Sequence, residues 1–162
     1  MSSTYQNSAF LNIPVKDLDR SVKFYTAMGF VQNMTFSNPG EAATMSLPPL
    51  SGTSGPEAHS GPFKLMLLSY SFYGTFMPKG IERADPTKVA QCLLCLSAPS
   101  KEAVDDMAEK AVANGGQKDV REKSEMEKQM EQAGVYGRVL RDVDGHIVEV
   151  MYMPVEMWAG KK

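Results

Sequence analysis

Between Phe10 and Val15 apolar residues run almost unbroken, Phe-Leu-Asn-Ile-Pro-Val, and at Asp17 the spacing changes. From there Leu18, Val22, Tyr25 and Ala27 or Met28 recur at three- and four-residue intervals as far as Gly29, which predicts a helix with one apolar stripe. Asp17 supplies a side-chain oxygen for the first free N–H groups, and Gly29 can take the left-handed conformation that ends a helix. Three short apolar stretches follow, around residues 30–36, 42–47 and 63–69, separated by Asn38-Pro39-Gly40 and by the turn-rich segment from Pro48 to Pro62. The predicted order is strand, helix, three strands, over residues 8–70.

After a crossover at 71–88 the order begins again, over residues 89–154. Gln91 to Ala98 reads as a strand and Ser100 as a cap. Val104, Met107, Ala108, Ala111 and Val112 form a helical stripe that stops at Gly115-Gly116. Strands are predicted around 117–120, 135–141 and 147–153. Phe10 and Leu93, Asp17 and Ser100, and Met66 and Glu149 are each 83 positions apart, a shared offset that points to a duplicated module. Gly29 and Gly115 are 86 apart, as a longer second helix would produce. An insertion at 121–134 breaks the symmetry. Its polar run Arg121 to Gln132 carries Met126 and Met130 four apart, and it reads either as a solvated loop or surface helix or as a lid laying two Met side chains over a cavity mouth.

A chain of 162 residues, 43% hydrophobic and 22% charged, has enough apolar side chain for one core or for two small halves, and the whole of 1–162 is read as one domain. With 17 Lys+Arg against 19 Asp+Glu there is no basic footprint for nucleic acid. No apolar run approaches the roughly 18 residues that cross a bilayer, and the N-terminal residues lack a signal-peptide pattern, so a cytoplasmic protein without membrane or nucleic-acid partners is expected. Cys92 and Cys95 form a C-x-x-C within a predicted buried strand, where they read as two small core residues rather than a redox or zinc pair.

Two segments carry a resemblance: Phe-Leu-Asn-Ile-Pro-Val-Lys-Asp-Leu-Asp-Arg-Ser-Val-Lys-Phe-Tyr-Thr-Ala-Met-Gly-Phe (10–30) and Tyr-Gly-Arg-Val-Leu-Arg-Asp-Val-Asp-Gly-His-Ile-Val-Glu-Val (136–150). With the repeat they resemble the glyoxalase/bleomycin resistance/dioxygenase, or vicinal oxygen chelate, superfamily, and the likeness covers nearly the whole chain. It implies an α+β fold in which two tandem βαβββ modules form incurved mixed sheets around a cavity. It does not fix an activity, since members include lyases, isomerases, dioxygenases and simple binding proteins. Metal-dependent members place His, Gln or Glu at four inward strand positions, which fall here on Phe10, Met66, Leu93 and Glu149. Three apolar side chains there do not serve as donors to Zn, Ni, Fe or Mn, so no metal or other cofactor is expected. His146 is three residues from Glu149 and reads as a turn residue after Asp144-Gly145, and His59 lies in a loose segment without fixed geometry.

Glu149, in an apolar strand, is the candidate catalytic residue. Desolvation there would raise its pKa and make it a general base. The alternative is a former ligand position, hydrogen-bonded to Arg138 or Tyr136. Candidate substrate-binding residues are Phe10, Asn12, Met66, Leu93 and Met151 as a soft apolar wall with one amide, and Tyr136 and Arg138, which share a strand face and, if inward, would offer a hydroxyl and a planar fork for a carboxylate or phosphate. An aromatic or carbonyl small molecule is the expected partner, and the resemblance implies a homodimer. Three functions compete: a metal-independent lyase or isomerase using Glu149, a non-catalytic binding or sequestering protein, and a metal-dependent lyase or dioxygenase.

Overall fold

A computed structural model describes residues 7–49 and 53–157. The chain divides into two compact units, Met1–Arg83 and Ala84–Lys162, with the boundary inside the expected crossover. In unit 1, β1 (Ala9–Val15) leads to α1 (Leu18–Ala27), and then to β2 (Val31–Asn38), β3 (Ala42–Ser46) and β4 (Phe63–Ser69). The sheet order is β1-β4-β3-β2, with β1 parallel to β4 and the other pairs antiparallel. A short helix in the crossover, α2 (Tyr70–Gly74), is an addition that the hydrophobic pattern does not reveal, and Ser69 caps it through the Phe72 N–H. In unit 2, β5 (Leu93–Ser97), α3 (Lys101–Ala113), β6 (Gln117–Lys118), α4 (Glu125–Gln132), β7 (Tyr136–Arg141) and β8 (Ile147–Tyr152) give the matching order β5-β8-β7-β6. Neither sheet closes on itself. No helix among the described residues is long and apolar enough to cross a membrane.

The duplication extends to the core. Ile13 and Leu96, Tyr25 and Ala108, Met28 and Ala111, Leu65 and Val148, and Leu67 and Val150 are pairs 83 apart, and all are buried. They lie on the helix-covered side of each sheet or on the helix stripe facing it. Asp17 accepts from the Arg20 N–H and Ser100 from the Ala103 N–H, so the two caps are equivalent in position and in bonding. Side chains that alternate with this core point to the other face of each sheet. In unit 1 that second face carries the rows Phe10-Lys64-Ser46 and Asn12-Met66-Thr44. Much of it is roofed. The 3₁₀ turn Gly55–His59 lies over Ser46, whose Oγ is 3.0 Å from His59 Nδ1, and Lys64 Nζ, pushed below its usual pKa by desolvation, donates to the carbonyls of His59 and Gly61. His59 therefore has a defined place, contrary to the reading of a loose segment. A register shift in β2 brings Ser37 Oγ to the Thr44 N–H and the Phe36 carbonyl to Thr44 Oγ1.

Candidate functional site on the open sheet of unit 2

The uncovered face of the second sheet is built from three rows across β5, β8 and β7: Leu93-Ile147-Arg141, Cys95-Glu149-Val139 and Ser97-Met151-Gly137. The opposite face, holding Leu96, Val148, Val150 and Leu140, is buried beneath α3. Of the sequence-predicted site residues, Leu93, Glu149 and Met151 meet on the uncovered face, and Phe10, Asn12 and Met66 share the corresponding face of unit 1.

Tyr136 and Arg138 do not join Glu149. The β7–β8 register sets Val139 opposite Glu149, whereas Tyr136 and Arg138 stand opposite Tyr152 and Val150 on the helix side. There the Tyr136 hydroxyl donates to Asp105 Oδ1 of α3 at 2.8 Å, and Arg138 Nε donates to the same oxygen at 3.0 Å. Arg138 Nη1 reaches Asp119 Oδ2 at 2.8 Å. The Tyr136 hydrogen bond, followed by that of Arg138, holds the Asp105 carboxyl below its ordinary pKa, and desolvation followed by the Asp105 contact raises that of the Tyr136 phenol. These two residues tie α3 to the sheet on the face opposite Glu149.

Glu149 is neither dry nor alone. Its side chain is 27% exposed, and Arg121 Nη2 donates to its Oε1 at 3.2 Å. The partner comes from the insertion, and neither Arg138 nor Tyr136 reaches it. Arg121 also grips Glu127 of α4 through two hydrogen bonds, at 2.7 and 2.9 Å. Glu127 in turn completes a capping box with Ser124. The Arg121 bonds, then the Ser124 N–H, lower the Glu127 pKa to about 2. The insertion is thus a short surface helix seated at one end of the open face. Met126 points to solvent, while Met130 borders, with Val135, Gly137 and Met151, a recess of about 40 Å³. That volume holds water rather than a substrate. Cys95 lies across from Glu149 on this face and is exposed rather than part of the core. Desolvation, then the Glu149 carboxylate, raises its thiol pKa.

Sequence reasoning passed over Arg141. It shares the face of Val139 and Glu149, its Nε is buried without a hydrogen-bond partner, and no ion pair to it is formed among the described residues. The available signal was parity: Arg138 and Arg141 are three residues apart on one strand, so only one of them can share a face with Glu149.

The turn between β7 and β8 explains the Asp-Val-Asp-Gly-His motif. Asp142, buried, accepts from the N–H groups of Asp144, Gly145 and His146 at 2.9, 2.9 and 2.8 Å. Gly145 has φ +106°, and a Cβ there would press on Thr87 and Pro86 at 3.0 to 3.2 Å. His146 is a turn residue, as its sequence context suggests.

Residues 8–47 match the family model for the bleomycin resistance protein-like N-terminal region. No curated protein matches the chain by sequence. Among solved structures, a hypothetical protein from S. aureus aligns over 93% of this chain and 96% of its own at 23% identity, with a TM-score of 0.64. A glyoxalase-related enzyme from Fulvimarina pelagi aligns over 93% and 91% at 21% identity, with a TM-score of 0.64. A lactoylglutathione lyase from Agrobacterium tumefaciens aligns over 99% and 100% at 19% identity, with a TM-score of 0.57. The chain has the vicinal oxygen chelate fold. The four positions that the sequence resemblance assigns to metal donors hold Phe10 and Met66 in unit 1 and Leu93 and Glu149 in unit 2. No group of three or more His, Cys, Asp or Glu side chains gathers among the described residues. Glu149, the single carboxylate at those four positions, is paired with Arg121.

Proposed function

We propose that this chain is a metal-independent small-molecule-binding protein of the vicinal oxygen chelate fold, holding its ligand on the open sheet face of unit 2. The observation that carries this reading is the occupancy of the four donor positions: three are Phe10, Met66 and Leu93, and the fourth, Glu149, is engaged by Arg121. An exposed apolar strand surface, with Leu93 61% accessible, is what a ligand with an apolar body would cover. Elemental analysis of protein purified without chelators should find well under one equivalent of transition metal. A thermal-shift screen of aromatic acids and carbonyl compounds should give concentration-dependent stabilisation unaffected by EDTA. Stoichiometric bound metal, or stabilisation abolished by EDTA, would overturn the reading.

A second reading, a lyase or isomerase using Glu149 as general base, is supported by the setting of that carboxylate among Val139, Cys95 and Met151. Here Arg121 must release Glu149 before a proton can be taken. Turnover that disappears in Glu149→Gln while ligand affinity is retained would select this reading over simple binding. A homodimer, the assembly the fold resemblance implies, is part of the proposal and is checked by light scattering on the eluted protein.

A further inference from the structure

We infer that Arg141 is an anion-recognising residue and that the ligand of the open face of unit 2 is a carboxylate on a compact apolar body. This rests on the binding reading above and adds the chemical class of the ligand. Arg141 ends the row Leu93-Ile147-Arg141, so two aliphatic side chains form a floor beside one guanidinium. The other arginines of this sheet region are engaged: Arg121 holds Glu127 and Glu149, and Arg138 holds Asp105 and Asp119. Arg141 alone of the three has no hydrogen bond or ion pair among the described residues, and its Nε is buried unpartnered. A buried donor left unmade is costly, and a guanidinium offers a planar pair of N–H groups that fits one carboxylate. A phosphate would call for further cationic or N–H donors, and the adjoining row supplies only Cys95, Glu149 and Val139.

The neighbouring charge fits this assignment. Glu149 lies one row from Arg141 and would repel an incoming anion, a repulsion that Arg121 reduces while it also holds Glu127. Arg141 is left as a guanidinium without a carboxylate partner among the described residues, beside an apolar floor. The equivalent row of unit 1, Phe10-Lys64-Ser46, cannot serve in the same way, because Lys64 and Ser46 are buried and bonded to the turn at 55–61. The two modules have therefore diverged at this row.

The test uses the full chain and two probes of one shape, 2-naphthoate and the neutral 2-naphthamide, titrated by calorimetry and by amide chemical shifts. Naphthoate should bind about tenfold more tightly or better, with shifts at Leu93, Ile147 and Arg141, a charge-assisted preference of ordinary size. Arg141→Gln should remove the preference while leaving naphthamide binding in place, and Arg141→Lys should restore part of it. Circular dichroism on both variants separates lost recognition from lost folding. Equal binding of the two probes to the unmodified protein, or a preference that survives in folded Arg141→Gln, would overturn this inference and leave the binding reading intact. Failure of both probes to perturb this face at millimolar concentration would overturn the binding reading, and this inference with it.

Discussion

Replacing Asp142 probes the turn that fixes the β7–β8 register and hence which side chains meet on the open face. One carboxylate oxygen accepts three backbone N–H groups within 2.9 Å, and the residue is 4% exposed. Hydrogen bonds to a charged acceptor contribute about 1.5–3 kcal/mol each, but two of the three donors are only partly buried and can turn to water. A loss of about 3–5 kcal/mol is therefore expected for Asp142→Ala. Asp142→Asn keeps an acceptor oxygen and gives up only the charge, so about 1–2 kcal/mol is expected. In a chain of this size each kcal/mol corresponds to roughly 2–4 °C in Tm, and Asp142→Ala should melt some 6–20 °C early. Hydrogen exchange should locate the loss in β5, β7 and β8, with α1 and β4 of unit 1 protected as before. A fall of under about 1 kcal/mol for Asp142→Ala, or equal losses for Ala and Asn, would refute the assignment of stability to this turn.

Asp105→Asn should cost about 1 kcal/mol at pH 7, a figure kept low because Asp105 is half-exposed. The carboxyl has a lowered pKa in the folded state, so its contribution is complete above the unfolded value of about 3.9 and fades as pH falls through the lower folded one. Urea unfolding should accordingly show the gap between variant and parent shrinking below pH 4, and a constant gap would contradict this tie. Arg121→Gln should speed amide exchange in α4 about tenfold without affecting α3, because α4 has no buried residue and Arg121 ties its first turn to the sheet through Glu127 and Glu149. With Glu127 at about 2, its side of this contact should persist as pH falls through 4.5 and be lost only near 2, whereas 1 M salt should weaken it. Unchanged exchange in the variant would show that α4 is held by something else. Gly61→Ala would drive a methyl into the Leu47 carbonyl oxygen, and a loss of at least about 2 kcal/mol is expected by chemical denaturation. A neutral result would mean that the 53–62 segment does not approach β3 as described.

Most of the strand and helix order was legible because it depends on local periodicity: Leu18 to Met28 and Val104 to Val112 each mark one face of a helix. The offset of 83 was equally visible, and the structure extends it to buried positions such as Leu65 and Val148. The apolar residues at Phe10, Met66 and Leu93, on which the metal-independent proposal rests, could be read from the sequence directly. What stayed hidden depended on register and long-range contact. Whether Arg138 or Arg141 faces Glu149 is decided by the turn at 142–146, which offsets the two strands by a count that composition does not give. The Arg121–Glu149 pair spans 28 residues and enters from an insertion whose polar sequence carries no sign of its partner. The five-residue α2 is too short to establish a period against its aromatic neighbours.

Equivalent interiors in the two halves, built on Leu65 and Leu67 in one and Val148 and Val150 in the other, separate maintenance from innovation. Each interior is packed within its own unit, so a substitution in one core does not touch the packed residues of the other. One has covered part of its second face with the 55–61 turn and a buried lysine. Its sibling carries a surface helix and an arginine whose Nε has no partner among the described residues. Substitutions meant to vary the proposed binding face can therefore be placed in the second half, away from the buried residues of the first.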